Sequence, residues 1–323
     1  MTLTEPRRAA VVYNPTKGRI DEVRRQVDAA AAAAGWGPSF WFETTVEDPG
    51  RGVTRRAVAA GTDMVIAAGG DGTVRSVAEG LRDSRVPLAL LPRGTGNLLA
   101  RNLGLPISST ADAIAIAFEG TTRFIDLGIA TLSRTDGSLE EHGFLVMAGM
   151  GIDADIMANT NEALKKSLGW LAYVDAGLRV LPDAKPFRIR YQLENKPVHS
   201  AHVSTILFGN CGTLTAGFEM MPDAVIDDGL LDVAVLQTPT ALGWIDIWRR
   251  LSFENGPLRR SSIGRRIISA TSGTASTITY LRSEGITVSL EKPRAVELDG
   301  DPFGTVVGVR FTTDPGSLAV RVR

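Results

Sequence analysis

The run MVIAAGGDGTVRSVAEGL, residues 64–81, decides the fold of this chain. Met64 to Ala68 is an unbroken apolar stretch that reads as a buried strand, bounded by Gly69-Gly70. Gly69-Gly70-Asp71-Gly72-Thr73 ends that strand, and a helix follows from Val74 to Leu81. Glycines between a strand and a helix let the backbone approach a phosphate, and the first helical N–H groups point at the anion. Thr73 adds a hydroxyl donor. The Asp71 carboxylate would repel phosphate and is better suited to Mg²⁺, a water or a ribose hydroxyl. A tight turn with a solvated Asp is the alternative, outweighed here by the whole five-residue context.

Working outward, short apolar strands alternate with helical stretches. Ala9–Tyr13, Ser39–Phe42 and Val86–Leu91 read as strands, and about Ile20–Ala34, Gly52–Ala60 and Ala111–Phe118 as helices. This order predicts βαβ units around a parallel sheet. Ligands bind at the C-terminal ends of such strands, and there the polar residues collect. The first strand runs into Asn14-Pro15-Thr16-Lys17-Gly18, where Asn14 and Lys17 are candidates for a nucleotide and a simple Asn-Pro turn is the alternative. The second ends at Thr44 and Thr45. The fourth ends in Pro92-Arg93-Gly94-Thr95-Gly96-Asn97, with Thr95 and Asn97 as ligand candidates or helix caps. Neither a G-x-x-x-x-G-K-[ST] loop nor a well-placed G-x-G-x-x-G is present, which excludes a P-loop enzyme and a standard dinucleotide fold.

After about Phe124 the pattern changes to strands joined by polar turns: Phe124–Ala130, Phe144–Ala148, Phe187–Leu193, Val203–Gly209, Leu231–Leu236, Thr277–Leu281, Ile286–Leu290 and Ala295–Leu298. Helical stretches at Ala154–Val180 and Thr240–Phe253 interrupt them. We place a boundary near Phe124–Ala130, giving an α/β domain over 1–128 and a β-rich domain over 129–323. The last strands, Val306–Phe311 and Leu318–Val322, can return to either. Within the second part, Val225-Ile226-Asp227-Asp228-Gly229-Leu230 is an acidic turn in which Asp228 and nearby carbonyls suit Mg²⁺, or an ordinary turn. Glu297-Leu298-Asp299-Gly300-Asp301 places two carboxylates around a glycine. That suits a proton acceptor and metal chemistry, or a hairpin turn with solvated acids.

Composition sets outer limits. The chain has 323 residues, 44% hydrophobic and 22% charged, an ordinary globular balance. A formal net charge of -1 provides no basic field for nucleic acid. The lone cysteine, Cys211, allows no internal disulfide, which fits a reducing cytosol. No apolar run suggests a signal peptide or a transmembrane helix. Any membrane contact would therefore be transient and made from the surface.

Together these segments resemble the diacylglycerol kinase catalytic-domain family, which includes bacterial lipid kinases and sphingosine kinases. GGDGT alone is shared with NAD kinases and phosphofructokinase-like folds. GGDGT followed by PRGTGN, DDGLLDV and ELDGD is more specific, and the resemblance runs from Asn14 to Pro315-Gly316-Ser317-Leu318. It implies an N-terminal three-layer α/β nucleotide domain and a C-terminal β-rich sandwich. It also implies ATP contacts at Asn14, Pro15, Thr16, Lys17 and Gly18, at Thr44 or Thr45, from Gly69 and Gly70 through Asp71, Gly72, Thr73, Val74 and Arg75 to Ser76, and at Thr95 and Asn97. Asp71 and Asp126 would join a Mg²⁺-centred network. Val225 and Leu230, by backbone oxygen, and Asp228, by side chain, would form a structural Mg²⁺ site. The catalytic base falls at Asp301, with Asp299 as partner. Two departures stand out. The family's Asp-Gly-Glu is here Asp299-Gly300-Asp301, one methylene shorter, and the Asp that often follows Asn97 is Leu98.

The implied reaction is γ-phosphoryl transfer from Mg-ATP to the hydroxyl of a diacylglycerol-like lipid, giving phosphatidic acid. Trp244, Ile245 and Trp248 with Arg249, Arg250, Arg259, Arg260, Arg265 and Arg266 form a candidate membrane-facing segment, or a core-packing helix with a solvated basic face. Lys165–Val180 raises the same choice. Two rivals stand beside this reading: a kinase of a soluble substrate such as NAD, and a lipid or nucleotide sensor disabled by the shorter Asp301. The sequence does not set the oligomeric state, and a homodimer is one assembly open to it.

Overall fold

A computed structural model describes residues 6–18, 20–151, 186–213, 219–237 and 277–323. It divides into two compact units. The first comprises Met1–Leu127, Ile226–Gly229 and Asp314–Arg323; the second comprises Gly128–Val225 and Leu230–Thr313.

The first unit runs β1 (Ala9–Tyr13), α1 (Ile20–Ala33), β2 (Phe40–Glu43), α2 (Arg51–Ala59), β3 (Met64–Gly69), α3 (Asp71–Leu81), β4 (Leu88–Pro92), α4 (Leu98–Asn102) and α5 (Thr110–Glu119). The strands pair in parallel, β1 lying between β2 and β3, and β3 pairing with β4. The apolar runs of β1, β3 and β4 are buried because helices cover both faces, whereas β2 at the edge is only partly buried. Ala9 and Val11 pack with Val23, Val27 and Ala31 of α1 and Ala113, Ile114, Ala117 and Phe118 of α5. Ala10 and Val12, equally buried, point the other way by strand alternation. The α1 contacts repeat every four residues, so one stripe of the helix meets the sheet.

The chain then continues through β5 (Thr121–Ser133), β6 (Leu139–Phe144), β7 (Met147–Met150), β8 (Phe187–Leu193), β9 (His199–Val203), β10 (Thr205–Gly209), β11 (Leu231–Gln237), β12 (Thr277–Ser283), β13 (Gly285–Leu298) and β14 (Asp301–Val322). In the second unit the order is β12-β11-β10-β7-β13-β14, antiparallel throughout. Added to it are β8 on β13, β9 on β8, and β6 on β5. The core centres on Phe311, stacked on Phe208 at 3.9 Å and met edge-on by Phe144 at 5.9 Å. The end of β14 belongs to the first unit, where Val320 pairs in parallel with Leu88 of β4.

Several sequence expectations change. The helix after GGDGT starts at Asp71, not Val74. Phe144–Ala148 is not one strand: it divides between β6 and β7 across Leu145-Val146. β9 was not expected, because its polar sequence HSAHV has only a weak alternation. The separate strands Ile286–Leu290 and Ala295–Leu298 are one β13 whose pairing slips between Ser289 and Arg294. Similarly, Val306–Phe311 and Leu318–Val322 merge into β14, because its glycines are accommodated without ending the strand. The helical stretches Ala154–Val180 and Thr240–Phe253, and the Arg259–Arg266 cluster, lie outside the described residues.

Candidate active site

In the first unit the two glycine loops are joined to each other. β3 and β4 are neighbours, and the Arg93 N–H donates to the Gly69 carbonyl at 2.9 Å just past their ends. Gly70 and Gly94 approach so closely that a Cβ on Gly94 would stand 2.7 Å from the Gly70 Cα. Asp71 completes the join. Its Oδ2 accepts the Asn97 N–H at 2.9 Å and its Oδ1 accepts the Leu98 N–H at 2.6 Å. These are among the first N–H groups of α4, whose own cap residue Asn97 gives no side-chain cap. Asn97 instead sits in the left-handed region at φ 47 and folds its amide back onto Gly94, accepting from its N–H at 3.0 Å and donating to its carbonyl at 2.8 Å. Leu98, where the resemblance expects an Asp, is a core residue at 2% exposure.

The NPTKG segment meets the same edge. The Asn14 N–H extends the strand pairing to the Ala68 carbonyl at 3.1 Å. Its side-chain Oδ1 accepts the Thr16 N–H at 2.9 Å and the Thr16 hydroxyl at 2.8 Å, an Asx turn that leaves Pro15, Thr16, Lys17 and Gly18 exposed. Arg93 is the residue missed from the sequence. Its Nε donates to the Lys17 carbonyl at 2.6 Å, tying the first loop to the fourth-strand loop. The available signal was its place as the one cation within PRGTGN. Thr95 and Thr45 are exposed, and the Thr45 hydroxyl accepts the Asp48 N–H at 3.1 Å. Thr44, Thr73, Val74, Arg75 and Ser76 are buried. Arg75 pairs with Glu79 at 3.3 Å, with Arg51 at 3.8 Å from the same carboxylate. Those side chains face the fold, so α3 offers a ligand its backbone and the half-buried Asp71 and Gly72. Beneath the loops is a small recess lined mainly by Val74, Leu90, Pro92, Leu99 and Ala100.

Asp126, also in the first unit, is 1% exposed and works in the same way. Its Oδ2 accepts the Gly229 N–H at 2.6 Å, its Oδ1 accepts the Gly316 N–H at 2.7 Å, and its own N–H donates to the Ile226 carbonyl at 2.8 Å. Arg123 holds Asp227 through Nε at 2.9 Å and Nη2 at 2.7 Å. Asp228 therefore stands between two fixed neighbours. No group of three or more His, Cys, Asp or Glu side chains gathers into a metal cage among the described residues. The 225–230 turn exposes the Asp227 and Asp228 carboxylates, the first of them held by Arg123, beside backbone oxygens, a hard-oxygen set that fits Mg²⁺ with its retained waters.

In the second unit, Asp299 and Gly300 form the two-residue hairpin turn between β13 and β14, with Leu298 paired to Asp301. Both turn residues have positive φ, 50 and 88, as the favoured tight hairpin requires. Asp299 is 6% exposed. Its Oδ2 accepts the Leu145 N–H at 2.8 Å, and its Oδ1 accepts those of Val146 at 2.8 Å and Met147 at 3.0 Å. Its own N–H returns to the Met147 carbonyl at 2.8 Å. Asn210 braces the same segment through the Leu145 carbonyl at 3.0 Å. Asp301, half-buried, is the first residue of β14.

A parallel sheet ending in joined glycine loops presents the backbone N–H groups at the start of α3 to an anion such as a nucleotide phosphate. Comparison with known proteins agrees. A family model described as the diacylglycerol kinase catalytic domain matches residues 8–130, and one described as the YegS C-terminal NAD kinase beta sandwich-like domain matches residues 146–252. A Pseudomonas fluorescens protein named probable lipid kinase YegS-like is 31% identical over 319 residues, covering 98% of this chain and 95% of its own. The diacylglycerol kinase of Bacillus subtilis is 28% identical over 310 residues, covering 94% and 92%. In fold, the chain is similar to a diacylglycerol kinase crystal structure from Bacillus anthracis, with a TM-score of 0.73 at 21% identity over 100% of this chain and 99% of that one. Yeast NADH kinase shares the fold more distantly, with a TM-score of 0.53 at 9% identity over 99% and 84%. The chain belongs to the diacylglycerol kinase catalytic-domain family of lipid kinase-like phosphotransferases.

Proposed function

We propose that this protein transfers the γ-phosphoryl group of Mg-ATP to the hydroxyl of diacylglycerol or a similar lipid, giving phosphatidic acid or its analogue. The observation that carries this reading is the build of the 299–301 turn. Three backbone N–H groups fix the Asp299 carboxylate, and the turn so held places half-buried Asp301 at the start of β14. In the reaction the lipid oxygen bonds to the γ-phosphorus, the bond from that phosphorus to the β,γ-bridging oxygen breaks, ADP leaves, and the hydroxyl proton passes to the Asp301 carboxylate.

The first unit supplies binding. Lys17 and Arg93 offer cations, the Gly70–Thr73 backbone offers N–H donors at the start of α3, and Thr45 and Thr95 offer hydroxyls. Mg²⁺ accompanying ATP offsets phosphate charge, and Asp228 with the Val225 and Leu230 carbonyls would hold a structural Mg²⁺. Asp71 and Asp126 enter this reading as loop fasteners. Replacing Asp71 by Asn should weaken Mg-ATP binding about 10-fold by calorimetry, because one acceptor oxygen becomes a donor facing a backbone N–H. Unchanged ATP affinity with altered Mg²⁺ dependence would instead assign the carboxylate to the metal.

No described helix is long and apolar enough to cross a membrane. In this reading the protein meets its lipid by peripheral contact. The deciding assay uses ATP labelled at the γ-phosphate, with Mg²⁺ and mixed micelles of diacylglycerol, sphingosine, ceramide or monoacylglycerol, and NAD as a soluble control. Labelled lipid is the expected product. Labelled NAD would overturn the lipid substrate, and ATP binding without any labelled product would replace the kinase with a sensor.

A further inference from the structure

β14 is irregular close to Asp301, and one side chain is built around the irregularity. Pairing with β13 runs Leu298 to Asp301 and Glu297 to Pro302, then resumes at Ala295 to Thr305. Val296 thus faces both Phe303 and Gly304, a β-bulge. Gly304 has φ 72, a value a side chain resists. Because strand side chains alternate faces, an extra residue resets which way everything before it points relative to everything after. Asp301 lies directly before that reset.

Arg134 secures the bulge. Its Nη1 donates to the Phe303 carbonyl at 2.7 Å and to the Thr305 carbonyl at 3.0 Å, bracketing Gly304. Its Nη2 pairs with Glu140. The Glu140 carboxylate also lies 3.5 Å from His142 Nε2, and the His142 ring rests on Phe303 with centroids 4.6 Å apart. Arg134 is itself fixed in the β5–β6 connection, where its N–H donates to the Ser138 carbonyl at 2.9 Å and its carbonyl accepts the Gly137 N–H at 3.1 Å. Its side chain is 18% exposed. The Arg134 guanidinium holds the Glu140 carboxyl below the ordinary carboxylate range. That lowering means the pair is complete at neutral pH and is lost only as pH falls through the lowered value.

We infer that Arg134 is a positioning residue for the phosphoryl transfer, acting through the Phe303–Gly304 bulge to aim Asp301. Asp301 is thereby held from two sides, by the Asp299 turn before it and by the Arg134 clamp after it. The inference rests on Asp301 as proton acceptor.

The test is Arg134→Ala in the full chain, read in two ways. The expected result is faster amide exchange confined to residues 301–306, with a fall in kcat of about 10²-fold and no change in KM for Mg-ATP, the signature of a displaced base. Should that variant fail to fold, Arg134→Lys, which keeps the charge and reaches the same carbonyls, should lose roughly 10-fold in kcat. Wild-type kcat despite local loosening would overturn the inference, as would a lowered kcat without loosening or a KM for Mg-ATP that rises in step. The base is tested separately by Asp301→Asn in the otherwise unchanged protein. Full turnover there removes the base assignment, and this inference with it, whatever Arg134→Ala does.

Discussion

Asp301→Asn is expected to lower lipid phosphorylation by about 10²–10⁴-fold, the range a positioned general base contributes. The substitution keeps the shape of the side chain and its place at the start of β14, and removes its charge and its capacity to accept a proton. Binding of Mg-ATP should stay within about 2-fold, since the proposed nucleotide contacts lie in NPTKG, GGDGT and PRGTGN. Single-turnover kinetics with labelled ATP measures the first quantity and calorimetry the second. Equal losses in both would give Asp301 a structural part and leave the acceptor unassigned. Asp301→Glu is the informative companion, because it restores the methylene by which this chain departs from the family pattern. A rise in kcat would show that the shorter acid works at a cost in reach.

Asp299→Ala should destabilise the second unit by about 3–5 kcal/mol, a large share of the total. The change removes the acceptor for the Leu145, Val146 and Met147 N–H groups, all buried, and places alanine at φ 50. An unsatisfied buried donor costs about 1–3 kcal/mol, and total stability is only about 5–15 kcal/mol. Asp299→Asn separates the two effects. Asparagine tolerates the left-handed turn and keeps one acceptor oxygen, so its cost should be about half. Urea unfolding followed by near-ultraviolet circular dichroism gives both numbers. An alanine variant within about 1 kcal/mol of the native protein would mean that water replaces the carboxylate freely, which its 6% exposure argues against.

The first unit was legible from sequence because its strands are buried on both faces and so appear as plain apolar runs between helical stretches. The glycine loops were equally plain, since their backbone freedom is written in composition. The second unit was harder. β13 and β14 carry glycines and slipped registers that look like ends, and β9 has the polarity of a half-exposed strand. Side-chain roles were the least visible. Asp71, Asp126 and Asp299 stand in the motifs expected to carry chemistry. Yet each spends its carboxylate on N–H groups 26, 103, 190 or more than 150 residues away. A motif shows that an acid is present, but not which distant backbone it meets.

The discontinuity of the first unit has a consequence during synthesis. Its glycine loops are complete within the first hundred or so residues, but Asp126 closes on Gly229 and Gly316, and β4 takes a partner from Val320. A ribosome-bound chain that has made only the α/β segment therefore lacks the strand partner of β4 and both N–H donors to Asp126. Those contacts form only after the intervening β-rich segment has been translated. The nucleotide unit is thus begun first and finished last, and its assembly is slowed by the loops that must close around it.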